Sequence, residues 1–197
     1  SYSGWQEADF VKFKAWITDV FYPHITKFLS THNGNECALH YWLNWDLSAM
    51  TALLSIGILA DDNFKINEAI QYFKFGIGSG NIGNGVPFIH LDPDSNEMLG
   101  QCQESGRDQG HATLCVSLLG TFCQMAKNVG EDLFIFDDGR ALAMCEYVAK
   151  YNIGGAETGS SSASWKMTSF KYTDNDLPYT TYTNCSGSWD TISAQER

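Results

Sequence analysis

Basic charge is what this chain has least of. Its 197 residues carry 12 Lys and Arg against 23 Asp and Glu, for a net charge of −11. Only Arg107, Arg140 and Arg197 are arginines. Such a chain repels nucleic acid at long range and no basic stretch offsets this, so nucleic acid is not an expected partner. Long apolar runs are missing too. The longest, MTALLSIGILA, is too short to span a bilayer, so membrane insertion is not expected. The six cysteines include no C-x-x-C pair, which argues against a zinc ribbon or a dithiol redox motif. GIGSGNIGNG has the glycines of a phosphate loop but no Lys-Ser/Thr after it and no strand before it, and reads as a flexible loop. No G-x-S-x-G elbow or catalytic-cysteine signature is present. No signal peptide is visible and the chain does not start with Met, as expected of a processed or trimmed product.

What is present is apolar and aromatic. A hydrophobic share of 44% and an aromatic share of 14% are ample for a packed core, so residues 1–197 read as a single ordered domain. Apolar residues recurring every three or four positions predict five helices. They cover about Trp5–Phe28 (kinked or divided at Pro23), Asp46–Ala60, Asn63–Phe75, Gln109–Asn128 and Gly139–Tyr151. Gly76, Gly130 and Gly154 stand just past three of these ends, as helix stops should. Residues 76–108 and 152–197 read as long connections, the second rich in Ser, Thr and aromatics and expected to fold over the helical scaffold. The only strand-like pieces are SFKYTDND and YTTYTN. Paired helices, alternately buried and amphipathic, predict an all-α fold: an α/α toroid, or an incomplete barrel of helical hairpins, with function gathered in long loops on one rim.

Two stretches concentrate chemistry. In YWLNWDLSAM, Asp46 or Asn44 is expected to cap a helix by accepting from its exposed N–H groups. A cap does not explain Trp42 and Trp45 beside Asn44; aromatic faces next to an amide suit a sugar ring and its hydroxyls. In QESGRDQGH, Asp108 is expected to cap the next helix, Glu104 and Arg107 to pair, and His111 to lie in the first helical turn, where an imidazole can accept a proton or hold a carboxylic acid. His24, His32 and His40 are spaced by eight, which does not keep them on one helical face, so no metal site is expected there. DPDSNE lacks the EF-hand spacing. Cys115, Cys123 and Cys145 are expected to be buried thiols, while Cys37, Cys102 and Cys185 lie in loop-like segments and are able to pair.

The blocks NWDLSAMTALLSIGILADD, NEAIQYFKFGIGSGNI and GQCQESGRDQGHATL, in this order, resemble the alginate-lyase-like domain of bacterial polysaccharide lyases built on an (α/α) toroid. The similarity runs from Trp5 to Tyr151, and QESGRDQGH is its most specific part. The resemblance implies β-elimination on a uronic-acid polymer of the alginate or glucuronan type. It implies Asn44 and His111 as catalytic groups that neutralise the sugar carboxylate, His111 alternatively as the base. Arg197 and a tyrosine complete the set, either Tyr182 or Tyr179 or one beyond the last residue. It also implies Trp42, Trp45, Gln103, Glu104, Arg107 and Tyr179 as substrate-binding residues. No cofactor or metal is implied, the partner is an acidic polysaccharide, and the location is periplasmic or secreted. The resemblance also implies further helices before a segment like Trp5, so the chain is expected to hold only part of the family's toroid. Two rivals stay open: a glycoside hydrolase on the same toroid, drawing paired carboxylates from Asp46, Glu104 and Asp108, and a sugar-binding protein without catalysis.

Overall fold

The computed structural model describes residues 4–32, 41–106 and 109–153. Arg107, Asp108, Tyr179, Tyr182, Arg197, Cys37, Cys185 and both strand-like pieces of the C-terminal segment lie outside these residues. The described chain is mostly helical, with two short strands.

The first predicted helix is continuous, not divided. It consists of α1 (Glu7–Trp16), one wider π turn (Ile17–Phe21) and α2 (Tyr22–Thr31). Pro23 has no N–H to return to the carbonyl one turn earlier. The π turn just ahead of it absorbs the mismatch without ending the helix. α2 stops at His32, whose backbone is left-handed (φ 43°, ψ 50°) and whose N–H bonds to the Phe28 carbonyl.

α3 (Leu43–Ala60) begins three residues before its predicted start. Its 18 residues have a mean hydropathy of 1.4, enough by length and composition to cross a membrane, which the contiguous apolar run alone did not reveal. Here it is the central helix, with α2, α4 and α6 packed round it. Leu43, Leu47, Met50, Leu53 and Leu54 are all buried, and each such side chain contributes roughly 1.5–3 kcal/mol. Two aspartates make the next turn. Asp61 takes a left-handed backbone (φ 55°) and ends α3. Asp62 then caps α4 (Asn63–Phe75), its Oδ1 accepting from the N–H groups of Phe64 at 3.0 Å and Lys65 at 3.2 Å. α3 and α4 therefore run antiparallel.

The segment read as one long loop is structured. It holds a single-turn helix α5 (Ile82–Gly85), an antiparallel hairpin of β1 (Phe88–Leu91) and β2 (Met98–Gln101), and a 3₁₀ turn (Gln103–Gly106). Phe88 stands opposite Gln101 and Leu91 opposite Met98. The strands FIHL and MLGQ are four residues each and show no clean polar–apolar alternation, so the usual signal is absent. They are held by α7 (Phe136–Ile153), on which β2 lies. GIGSGNIGNG is likewise packed, not flexible: Ser79 is fully buried, as are Ile82 and Val86 around it.

α6 (Gln109–Asn128) matches its predicted span. Phe122 of α6 stacks on Phe73 of α4 at 5.4 Å between ring centroids. α6 runs parallel to α3: Leu43 meets Gln103, just ahead of α6, while Ser55 Oγ meets Met125 Sδ at 3.4 Å near the other end. In α7 the residues Asp137, Asp138 and Gly139 are left-handed, so its regular part begins at Arg140, close to the predicted Gly139.

Candidate functional site

The first turn of α3 poses a problem that its own sequence does not solve. Trp42 occupies the N-cap and has no side chain able to accept from the helix. Neither Asn44 nor Asp46 caps it, contrary to expectation. The exposed N–H groups are met from 60 residues away. Leu43 N–H donates to Gln103 Oε1 at 2.6 Å, and Asn44 N–H donates to Glu104 Oε1 at 3.3 Å. Gln103 Nε2 then donates to the Tyr41 carbonyl at 3.2 Å, and Ser79 Oγ donates to the same oxygen at 2.8 Å. A carboxylate at this end also suits the positive pole of the helix dipole. Gln103 and Glu104 are 4% and 0% exposed, so the 3₁₀ turn that carries them is part of the core.

That turn packs against both α3 and α6. It therefore brings the two sequence blocks together: Asn44 in the first turn of α3 and His111, half-buried, in the first turn of α6 flank one short segment. The Asn44 side-chain oxygen is buried and has no hydrogen-bond partner. The two ends of an amide exchange places by one rotation, so this is an open valence for either a donor or an acceptor.

The two tryptophans separate. Trp45 is 52% exposed, with Tyr41 edge-on at 5.4 Å and Phe28 behind it at 6.1 Å. Trp42 is 5% exposed and belongs to the core, which corrects the expectation that it stacks on a sugar. Its position at the cap turns the ring inward, while Trp45, three residues on, faces out.

Asp46 serves neither as cap nor as surface acid. It is fully buried and accepts three hydrogen bonds: from His32 Nε2 at 2.8 Å, Tyr72 OH at 3.1 Å and Gly80 N–H at 2.9 Å. The Leu29 carbonyl, 3.2 Å from the same hydroxyl, shares its single proton with Asp46. Burial, followed by the neighbouring Asp46 carboxylate, drives the Tyr72 phenol well above the ordinary tyrosine range. Two glycines of the Gly-rich loop, Gly78 and Gly80, are required by this hub. A Cβ on Gly78 would lie 2.4 Å from Asp46 Oδ2 and 2.5 Å from the Tyr72 hydroxyl. The hub ties α2, α4 and the loop to the turn bearing Asn44 and Trp45.

Sequence reasoning weighed His32 only as a metal ligand and passed over Gln101. His32 is fully buried, and its Nδ1 has no partner. Gln101, at the end of β2, is fully buried with neither side-chain oxygen nor nitrogen bonded. A buried amide open at both ends is rare. Its only signal in sequence is its place two residues before Gln103. Cys102 next to it is buried and donates to or accepts from Ser105 Oγ at 3.2 Å. Burial pushes its thiol up to about 11, so it is neither loop-exposed nor reactive. Cys123 is buried too, its thiol pushed up to about 12 by the same cause.

Two clefts lie away from Asn44, Glu104 and His111. One, of about 300 Å³, sits beside the α3–α4 turn and is lined by Asp61, Asn63, Asn67 and Glu131 among others. The other, of about 260 Å³, is mostly apolar and lies between α2 and α4, with Tyr72 and Glu68 in its wall. The first carries acids and no base, which disfavours an anionic ligand. Among the described residues no group of three or more His, Cys, Asp or Glu side chains is placed to hold a metal ion. No protein-family model, curated protein or solved structure matches this chain.

Proposed function

We propose that this protein is a polysaccharide lyase that cleaves a uronic-acid polymer of the alginate or glucuronan type by β-elimination. The observation that supports it most is the meeting of the two chemistry-rich blocks at one turn, with the Asn44 N–H on Glu104 at 3.3 Å. Parallel α3 and α6, starting at one end of the body, are also what neighbouring inner helices of an (α/α) toroid require. In this reading Asn44 and His111 receive the carboxylate of the uronic acid. Withdrawing its negative charge makes the adjacent C5 proton more acidic and stabilises the enolate-like state that follows. A base removes that proton. The electron pair left on C5 forms the C4–C5 double bond and expels the glycosidic oxygen from C4, which an acid protonates. Tyr179 or Tyr182, with Arg197, are the proposed partners for these proton transfers, and Arg107 the further cation. Trp45 offers the exposed ring for stacking, and Gln103 and Glu104 shape the site through the cap. Such an enzyme would act outside the cytoplasm, where its polymer is.

The hydrolase reading needs two carboxylates facing a shared opening. Asp46 is sealed among three donors and Glu104 is spent on a helix end, so both are poorly placed for it. A panel of acidic polysaccharides, incubated with the protein and followed by ultraviolet absorbance of the unsaturated product, tests the proposal. Rising absorbance with one or more uronate polymers supports a lyase. A flat trace across alginate, glucuronan and glycosaminoglycans, with substrate shown to bind, leaves a sugar-binding protein instead.

A further inference from the structure

Among the described residues, no other element packs extensively on the row of aromatics along α1. None of its residues is buried, and its one extended packing contact is with the π turn that follows it. Trp5, Val11, Trp16, Val20 and Phe21 are all between 41 and 52% exposed. The helix also overhangs the body. α2 runs antiparallel to α3, with His32 against Asp46. At about 1.5 Å per residue, the stretch from His32 back to Trp16 is roughly 24 Å, slightly more than the roughly 21 Å from Asp46 to Ala60. α1 therefore begins where α3 ends and projects past it. Along this overhang the aromatics touch one another in a row: Trp5 tilted on Phe13 at 5.2 Å, Phe13 tilted by Trp16 at 6.1 Å, Trp16 edge-on to Phe21 at 4.9 Å.

The charges on α1 say what fits there. With about 100° per residue and Phe13 at the centre of the face, Asp9 and Lys12 lie on one flank, Glu7 and Lys14 on the other. No ion pair within the described residues involves any of the four. A twofold axis lays each flank of a helix along the same flank of its copy, running the opposite way. One axis, midway between Phe10 and Val11, places Glu7 opposite Lys14 and Asp9 opposite Lys12. Both pairings share that single register. Acids early and bases late also suit a helix's own dipole. The dipole, however, is indifferent to which flank a charge takes.

We propose that α1 is a self-association surface, on which a second copy of this chain packs its own α1 antiparallel about that axis. Aromatic faces supply the attraction and the four charges set the register.

Sedimentation equilibrium on the 197-residue chain tests it. Wild type is expected to show a concentration-dependent dimer. K12E/K14E makes both flanks acidic and E7K/D9K makes both basic; each alone is expected to weaken the dimer at least tenfold. An equimolar mixture of the two is expected to recover association as a heterodimer. The fourfold swap E7K/D9K/K12E/K14E restores self-complementarity and is expected to dimerise, although its charges now oppose the helix dipole. Circular dichroism checks that each variant keeps its helices. A wild type that stays monomeric up to high concentration overturns the proposal. So does a K12E/K14E variant as dimeric as wild type, or a mixture that fails to associate.

Discussion

Asp46 holds three donors in a place water does not reach, and the loss of such an acceptor strands all three. Asp46→Ala is expected to lower unfolding stability by about 3–5 kcal/mol, read from the denaturant midpoint. Gly78→Ala pushes a methyl onto the same carboxylate and is expected to cost about 1–3 kcal/mol in the same measurement. The residues of the proposed site should behave in the opposite way. His111→Ala and Asn44→Ala are each expected to reduce lyase kcat by roughly 10²–10³ while leaving the melting temperature nearly unchanged. At this scale the two polar blocks were legible as blocks. Asn44 and His111 stand out in sequence because amide, imidazole and tryptophan are unusual company at helix starts. The hub was not legible, because Asp46 reads equally well as a cap, and nothing local reveals that His32 and Tyr72 reach it across 14 and 26 residues. Trp42 and Trp45 are equivalent in sequence, and only the cap geometry turns one inward.

Helix spans were read more faithfully than helix ends. α4 and α6 coincide with their predicted residues because the signals are local: Asp62 before α4 caps it, and apolar spacing carries both. α3 starts earlier than expected because its cap is supplied by Gln103 and Glu104 across 60 residues, and no local pattern records a partner so distant. Gln103→Ala removes one of these acceptors. It is expected to cost about 1 kcal/mol and to raise amide exchange at Leu43 and Asn44 before exchange elsewhere in α3. The β1–β2 hairpin escaped the pattern reading because its strands are short, nearly continuous in apolar character at their ends, and specified by the surface of α7 more than by their own alternation.

At the scale of the molecule, Lys150 ties the hairpin to the last described helix through Asp92 and, at 3.8 Å, Asp94. Asp92, just past β1, accepts from Lys150 of α7 and from Ser95 at 2.6 Å. The bonds from Lys150 and then Ser95 hold its carboxyl down to about 2. Its folded value thus lies below the unfolded one of about 3.9. Its stabilising contribution is complete above that value and is lost as pH falls from about 4 to about 2. Asp92→Asn is therefore expected to melt at a lower temperature than wild type near neutrality, with the difference closing over that acid window. A gap unchanged down to pH 2 would contradict the pairing. The packing of α3, α4 and α6 was foreseeable as a helical body, whereas their parallel and antiparallel sense rests on contacts such as Ser55 with Met125 that no periodicity encodes. The account stands or falls on bond chemistry at the proposed site. Mass spectrometry of the oligosaccharides released from a uronate polymer reads it directly. The account predicts new non-reducing ends that are unsaturated, lighter by one water than hydrolysis would leave them, and their disappearance in His111→Ala. Saturated ends of hydrolytic mass, or unsaturated ends formed equally well by His111→Ala, would contradict it.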